Sequence, residues 1–157
     1  MLIDSVAVVN QTQKTEVRIE IRKLVSEAQI PFRKRKTDAG YDLYSIEDAW
    51  LQPGLAAIVK TGLAIAAPPG FYYTIEGRSS LWMQGIFPNR GIIDSTYCGE
   101  TVVSLVNVSG EPFKINKGDR VAQIILHRQY DANFAPVDEF SALYNARGTD
   151  GFGSSGK

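Results

Sequence analysis

Short apolar runs separated by glycine and proline turns restrict the fold of this chain more than any other feature of its sequence. The runs lie at residues 56–60, 63–66, 71–76, 101–108 and 121–127, and the segments between them contain Pro-Gly, Pro-Pro-Gly and Asn-Lys-Gly-Asp. Short strands at a spacing of about 8–12 residues are typical of all-β sandwiches and barrels. The sequence therefore predicts an all-β fold of one of these two kinds.

Two local patterns refine this prediction. Residues 16–22 read Glu-Val-Arg-Ile-Glu-Ile-Arg, so that charged and apolar residues alternate strictly, and a period of two predicts a half-buried strand. Residues 79–84 read Ser-Ser-Leu-Trp-Met-Gln, which predicts one short helix with a serine at its N-cap.

Composition excludes several classes of protein. The 157 residues suit one domain, and 17 basic against 17 acidic side chains give a net charge of zero. Zero charge argues against binding to nucleic acid or a membrane surface through bulk electrostatics, although it leaves room for a local anion site. Cys98 is the only cysteine and His127 the only histidine, so neither a disulfide framework nor a Cys/His zinc site is expected.

The expected location follows from absences in the sequence. No apolar stretch approaches the ~20 residues that span a bilayer, and the first residues lack the basic start of a signal peptide. We expect a cytoplasmic protein, or a nuclear one in a eukaryotic or viral setting. The basic run at 33–36 is interpreted either as a solvated loop or as a nuclear signal or anion patch, with the loop favoured.

The last residues resemble a phosphate-binding loop only in their letters. Residues 151–157 match G-x-x-x-x-G-K, but a P-loop needs a preceding strand, a Ser or Thr after the lysine, and a following helix. Backbone N–H groups of consecutive small residues can still wrap phosphate oxygens, and the Arg147 guanidinium suits phosphate. Phe152 is interpreted as a lid over a base, with an incidental aromatic in a disordered tail as the alternative.

Four more segments combine turn glycines with polar residues, and each is weak alone. They are Asp-Ala-Gly-Tyr-Asp-Leu at 38–43, Gly-Arg-Ser-Ser at 77–80, Gly-Ile-Ile-Asp-Ser-Thr-Tyr-Cys-Gly at 91–99 and Gly-Asp-Arg-Val-Ala-Gln at 118–123. The third is interpreted as strand, turn and strand, with Asp94 at the mouth of a half-buried hairpin. There a carboxylate can serve as a general base, and an ordinary turn aspartate is the alternative.

Five such segments in this order resemble the five motifs of the trimeric dUTPase family. The resemblance implies an antiparallel, jelly-roll-like β-sandwich or barrel, the β-clip, with one short helix and a flexible C-terminal tail. It implies a homotrimer with active sites shared between chains, in which Mg²⁺ accompanies the triphosphate. It also implies hydrolysis of dUTP to dUMP and diphosphate, which keeps uracil out of DNA and supplies dUMP for thymidylate synthesis. Residues 1–15 then form an N-terminal extension, 16–146 the β domain and 147–157 the lid tail.

The resemblance also assigns roles to single residues. Asp94 matches the general base, Tyr97 the ring that packs on deoxyribose, and Gln123 a residue that hydrogen-bonds phosphate or water. Asp42 matches an acid in the outer shell of the magnesium. The uracil-reading surface corresponds to Gly91, Ile92, Ile93, Asp94 and Val102, with Tyr97 and Phe152 beside it. The phosphate-binding residues correspond to Arg78, Ser79, Ser80, Arg147, Gly153, Ser154 and Ser155.

The chain departs from the family pattern at two positions within the motifs. Glu100 stands where many relatives carry Gln or Asn, and either adds a carboxylate near the attacking water or faces solvent. Asp150 stands where Gly is common, and either slows tail closure by repelling phosphate or points outward.

Two rival functions follow from the same resemblance. The dCTP deaminases share the fold, but they carry a glutamate ten residues after the aspartate that matches Asp94, where this chain has Ser104. Tyr97 also favours dUTPase, because deaminases tend to have Trp there. The second rival is a non-catalytic binding or regulatory module, which we expect to have lost Asp94, Tyr97 or the tail.

Overall fold

The computed structural model describes residues 16–141, and short β-strands dominate them. The elements in chain order are β1 (Glu20–Lys23), β2 (Tyr41–Tyr44), β3 (Ala49–Leu51), β4 (Ala56–Val59), β5 (Leu63–Ala66), β6 (Phe71–Glu76), α1 (Ser79–Trp82), β7 (Ile86–Pro88), β8 (Gly91–Ile93), β9 (Val103–Asn107), β10 (Phe113–Ile115) and β11 (Arg120–Arg128). Between residues 16 and 141 there is no helix long and apolar enough to span a bilayer.

The strands form four open antiparallel sheets. Two have a pair of strands each, β1 with β5 and β3 with β10, and a third has the order β4-β9-β7. The fourth, with the order β2-β11-β6-β8, is built around the longest strand, β11. The predicted all-β class is therefore confirmed, and within residues 16–141 no sheet closes into a barrel.

The predicted first strand is shorter in the structure than in the sequence pattern. Strand β1 begins at Glu20, not at Glu16, because its partner β5 offers only four residues, and Glu20 already pairs with the last of them, Ala66. Ile19 lies before β1, where the backbone pairs with no other described strand, but its side chain still packs against the core as the alternating pattern predicts.

The predicted helix is present but ends at Trp82 and not at Gln84, and its predicted cap is wrong. Arg78 occupies the N-cap position with an extended backbone, φ −109° and ψ 134°, and its side chain makes no capping hydrogen bond. Ser79 and Ser80 lie inside the first turn instead. Because α1 has four residues, any preference for an anion at this end must come from side chains and not from a long helix dipole.

The core lies between the sheets and is built by alternation. Strand β9 shows it most clearly, since Val103, Leu105 and Asn107 are buried while the residues between them are only partly so. The fully buried apolar side chains with the largest volume are those of Tyr73, Leu43, Leu51, Leu63, Ile65, Ile86, Leu105, Ile115, Val59, Val103 and Val121.

We expect Asn107→Ala to lower the free energy of unfolding by about 3 kcal/mol, near the top of the range for leaving buried polar groups unpaired. The Asn107 side chain is fully buried and donates to the carbonyls of Leu51 and Glu111, both at 2.8 Å. Its Oδ1 also accepts from the backbone and hydroxyl of Ser109. Urea denaturation measures the change, and a loss below about 1 kcal/mol would contradict this account.

Candidate active site

The four-stranded sheet brings three of the motifs side by side. Strand β11 lies between β2 and β6, and the register places Gln123 opposite Asp42 on one side and Glu76 on the other. Two residues beyond Glu76 the chain reaches Arg78. Segments far apart in the sequence therefore meet at one end of this sheet.

A β-bulge in β11 decides which side chains share a face there. Arg120 pairs with Tyr44 and Gln123 pairs with Asp42, and the register shifts between Arg120 and Ala122. Opposed residues of an antiparallel pair lie on the same face, and residues two apart on one strand do as well. Arg120 and Gln123, three apart, therefore both lie on the face of Asp42 only because of the bulge.

The result is a carboxylate held between two guanidinium groups. Arg78 donates through Nε to Oδ1 of Asp42 at 2.8 Å, and Arg120 donates through Nη1 to Oδ2 at 3.3 Å. The Arg78 and Asp42 side chains are each 18% exposed, so the pair is fixed in place. Arg78 also donates to the Ser80 hydroxyl and to the Arg120 carbonyl. The two guanidinium groups share Asp42 beside a cleft of about 250 Å³ that Asp119 also lines, and their N–H groups not bound to Asp42 suit an anionic ligand.

The Gln123 side chain contacts residues of the first two motifs and does not point into solvent. Its Nε2 donates to the Gly77 carbonyl at 2.7 Å, and its side chain lies against Gly40. A Cβ at Gly40 would overlap Oε1 of Gln123, so a larger residue there would displace the end of the Gln123 side chain. The structure thus gives Gln123 a positioning contact beside Arg78, and its predicted bond to phosphate or water stays a prediction.

We expect Gly40→Ala to raise KM for the substrate several-fold and to lower stability by about 1 kcal/mol, because the methyl group pushes Gln123 off the Gly77 carbonyl and costs that hydrogen bond. Steady-state kinetics and thermal denaturation measure the two effects. Gly110→Ala is the matched control, since a Cβ there meets nothing within 4 Å. Equal behaviour of the two variants would show that the Gln123 contact is unimportant.

Asp94 and Tyr97 lie in a second group of residues, in the loop that follows β8. Asp94 is exposed, and its carbonyl accepts from the Tyr97 N–H at 3.1 Å in a tight turn. Tyr97 is 45% exposed, and its hydroxyl donates to the Glu100 carbonyl at 3.0 Å. The Glu100 carboxylate accepts from the Gly62 N–H at 2.9 Å, so it has a protein partner that neither expectation for this residue had foreseen.

The predicted hairpin around Asp94 is wrong. Strand β8 pairs with β6, whereas β9 pairs with β4 and β7, so the strands on either side of the loop belong to different sheets. The loop therefore crosses from one sheet to another. In β8, before the loop, Gly91 and Ile93 are half-buried and Ile92 is 65% exposed, and at the end of the loop Val102 is half-buried.

The two groups lie at opposite ends of β6. Ile93, just before Asp94, pairs with Tyr73, and about five residues separate Tyr73 from Arg78. At ~3.3 Å per strand residue the separation is roughly 16 Å along the sheet. One copy of residues 16–141 therefore places the aspartate and the arginines in two separate places.

Other predicted features have mixed outcomes. Arg33, in the basic run, lies over the Tyr41 ring at 4.7 Å and donates to the Asp38 carbonyl, and the choice between a solvated loop and a nuclear signal or anion patch stays a prediction. Arg147, Phe152, Gly153, Ser154, Ser155 and Asp150 lie outside the described residues. Sequence reasoning did not include Gly40 among the site residues. The letters GDR before an apolar strand were the signal for Arg120, but only the bulge shows where its side chain goes.

The open antiparallel sheets and the arginine cluster define an all-β protein with a cationic site suited to an anionic ligand. A sequence model described as dUTPase matches residues 26–156. The chain therefore belongs to the dUTPase family, and the resemblance carried by the five motifs is confirmed.

Relatives and solved structures agree with this assignment. The deoxyuridine 5'-triphosphate nucleotidohydrolase of Thermobifida fusca (strain YX) is 42% identical over 89% of this chain and 79% of its own length. That of Nautilia profundicola is 41% identical over 90% of this chain and 100% of its own length. The Staphylococcus bacteriophage 80alpha dUTPase with dUPNHPP superposes with a TM-score of 0.81 at 27% identity, covering 89% of this chain and 99% of that one.

A second solved structure concerns a metal. A mutant dUTPase from phage phi11 of S. aureus, described as revealing the coordination of a structural Mg(II) ion, has a TM-score of 0.73 at 26% identity and covers 80% of this chain and 99% of that one. These likenesses confirm the jelly-roll-like fold that the motifs implied.

Proposed function

We propose that this dUTP diphosphatase hydrolyses its substrate at a site completed by a second copy of the chain. The activity itself follows from the family and from relatives at about 40% identity, all nucleotidohydrolases of deoxyuridine triphosphate. The observation that carries the shared site is the separation of Asp94 from Arg78 along β6. A nucleophile and the atom it attacks must approach to about 3–3.5 Å, so a base and its phosphate ligands cannot work from opposite ends of one sheet.

The arginine cluster is the phosphate side of this site. Asp42 fixes Arg78 through the Nε bond and leaves other guanidinium N–H groups available to phosphate oxygens. Ser79 and Ser80 are exposed beside it and supply hydroxyl donors. The positive charge stabilises the negative charge that develops on the departing diphosphate.

Asp94 is the base on the other side. Its carboxylate is exposed and has no hydrogen-bond partner between residues 16 and 141, so both oxygens are free to accept a proton from water. The water oxygen bonds to the α-phosphorus, Asp94 takes the water proton, and the bond from that phosphorus to the bridging oxygen breaks. The products are dUMP and diphosphate.

The loop from Gly91 to Val102 is the surface that reads the base and the sugar. The donors and acceptors of the main chain have a fixed arrangement that pairs with the edge of uracil. With cytosine in the same place some of these groups would be buried without a hydrogen-bond partner, which is costly. Tyr97 presents its ring at the surface, where it packs against deoxyribose and leaves no room for a 2′-hydroxyl.

The arm that follows β11 supports an assembly of several copies. Between residues 129 and 141 the aromatic side chains of Tyr130, Phe134 and Phe140 are 80%, 92% and 75% exposed. Three largely exposed aromatic side chains in one segment of thirteen residues suit a contact surface, so we infer that the arm packs on a neighbouring copy in a homotrimer. The arm then carries Arg147, Phe152, Gly153, Ser154 and Ser155 to a site on that neighbour, where they close over the nucleotide.

The residues fit a magnesium ion that arrives with the substrate. No group of three or more His, Cys, Asp or Glu side chains between residues 16 and 141 forms a cage for a metal. Mg²⁺ commonly keeps several waters and binds through one or two carboxylates plus substrate phosphates. Each Asp42 oxygen accepts one guanidinium bond and retains a lone pair for a metal-bound water. When bound, the ion would neutralise phosphate charge.

The rival functions are less well supported. Ser104 stands where a deaminase needs a carboxylate, and it is engaged by Asn89, which donates to its hydroxyl at 2.9 Å. A non-catalytic module has no need of an unpartnered Asp94 beside an exposed Tyr97. We place the enzyme in the cytoplasm, or in the nucleus of a eukaryotic or virus-infected cell, where deoxynucleotide pools are used.

The deciding experiment measures diphosphate release from dUTP, with dCTP and UTP as comparison substrates, with and without Mg²⁺. We expect release from dUTP that requires Mg²⁺, slow release from UTP, and no ammonia from dCTP. Ammonia from dCTP would establish a deaminase, and the absence of any turnover would favour the binding module.

A further inference from the structure

Glu100 links the loop that carries Asp94 and Tyr97 to a distant turn. Its carboxylate oxygen Oε1 accepts the backbone N–H of Gly62 at 2.9 Å, between residues 38 positions apart. Its backbone also forms an isolated antiparallel bridge with Ala64. Both contacts hold the end of the loop against the turn that joins β4 and β5.

The residue that follows Glu100 is fixed on three sides. The Thr101 N–H donates to the Leu63 carbonyl at 2.7 Å, and the Thr61 hydroxyl donates to the Thr101 carbonyl. The Thr101 hydroxyl also bonds the Tyr73 hydroxyl at 2.8 Å, in a region where Thr61, Thr101 and Tyr73 are at most 1% exposed. Glu100 therefore lies where a rigid core meets an exposed loop.

Tyr97 rests on this anchored end of the loop. Its hydroxyl donates to the Glu100 carbonyl at 3.0 Å, and its ring lies so close to Gly99 that a Cβ there would overlap it. The orientation of the ring thus depends on where the Glu100 carbonyl points. That carbonyl belongs to the residue whose side chain is tied to Gly62.

We propose that Glu100 is a positioning residue for Tyr97. The bond between its carboxylate and the Gly62 N–H holds the Glu100 carbonyl in place, and this carbonyl orients the Tyr97 ring that selects deoxyribose over ribose. The inference rests on the proposed function only in taking Tyr97 as the residue that faces the sugar. It assigns the Glu100 carboxylate to specificity, and not to the attacking water.

The test is the ratio of kcat/KM for dUTP to kcat/KM for UTP in Glu100 variants. We expect Glu100→Ala to lower this ratio about five- to tenfold, an effect of the size of one ordinary net hydrogen bond. We expect Glu100→Gln, which keeps an oxygen acceptor, to stay within about twofold of the original ratio. Glu111→Ala is the matched control, because that carboxylate is exposed and has no side-chain partner in the described part of the chain.

A second background separates positioning from a general loss of stability. In Tyr97→Phe the hydroxyl that contacts Glu100 is absent, so we expect Glu100→Ala to cause no further fall in the ratio there. An unchanged ratio in Glu100→Ala alone, or an equal fall in both backgrounds, would overturn the proposal. If the alanine variant does not fold, Glu100→Asp carries the same test, because its side chain is one methylene too short to reach Gly62.

If Tyr97 does not select the sugar, the experiments give a different result from the one expected if only the role of Glu100 is wrong. If Tyr97→Ala leaves the ratio of dUTP to UTP unchanged, Tyr97 does not select the sugar, and the proposed role of that residue is wrong. If Tyr97→Ala collapses the ratio while Glu100→Ala leaves it intact, only the positioning role of Glu100 is overturned.

Discussion

Replacing Asp94 with asparagine is expected to lower kcat for dUTP hydrolysis by about 10²- to 10⁴-fold, the usual contribution of a general base. Asparagine has nearly the shape of aspartate but cannot take a proton from water at neutral pH. Because the substitution removes the base and little else, we expect KM to change far less than kcat. Steady-state assays of diphosphate release give both constants.

The structure makes this a clean substitution. Asp94 is exposed, and its side chain has no hydrogen bond in the described part of the chain, so the thermal midpoint should not move. Glu111→Gln makes the same change from carboxylate to amide at an exposed position away from the loop, and should retain full activity. A kcat for Asp94→Asn within about tenfold of the original would exclude Asp94 as the base.

Much of the fold was predictable because the sequence of a strand indicates the strand without information from distant residues. The runs at 63–66 and 71–76 coincide with β5 and β6, since an apolar run bounded by turn residues specifies a strand without reference to its partner. The phosphate motif was predictable for a similar reason, because Arg78 and its serines are adjacent in sequence. Neither prediction required knowledge of how the strands pair.

The sequence pattern did not predict which distant strands pair with one another. Nothing in residues 91–99 says that β8 pairs backward with β6, so a strand, a turn and a strand were taken for a hairpin. The sequence of β11 likewise does not reveal its bulge, although the bulge brings Arg120 onto the face of Asp42. The carboxylate of Glu100 reaches across 38 positions to Gly62, a contact that no local pattern encodes.

The separation of the two groups of residues leads to the second large effect. Asp94→Asn and Arg78→Ala are each expected to be nearly inactive, because one lacks the base and the other lacks a phosphate ligand. If the aspartate of one copy works with the arginine of another, an assembly that contains both variants regains intact sites. Co-expression with two different affinity tags, followed by purification on both, isolates such mixed assemblies.

In a cyclic trimer that holds both kinds of chain, about one interface in three joins an intact Asp94 to an intact Arg78, so we expect about a third of the original kcat to return. Mixing two differently tagged copies of Asp94→Asn is the matched control. No copy in that mixture supplies an intact Asp94, so activity should stay absent. Recovery in the first mixture alone would mean that the roughly 16 Å along β6 is spanned by assembly and not by movement within one chain. Inactivity of both mixtures would place the base and the arginine in the same copy, and would require the loop after β8 to move toward the arginines when substrate binds.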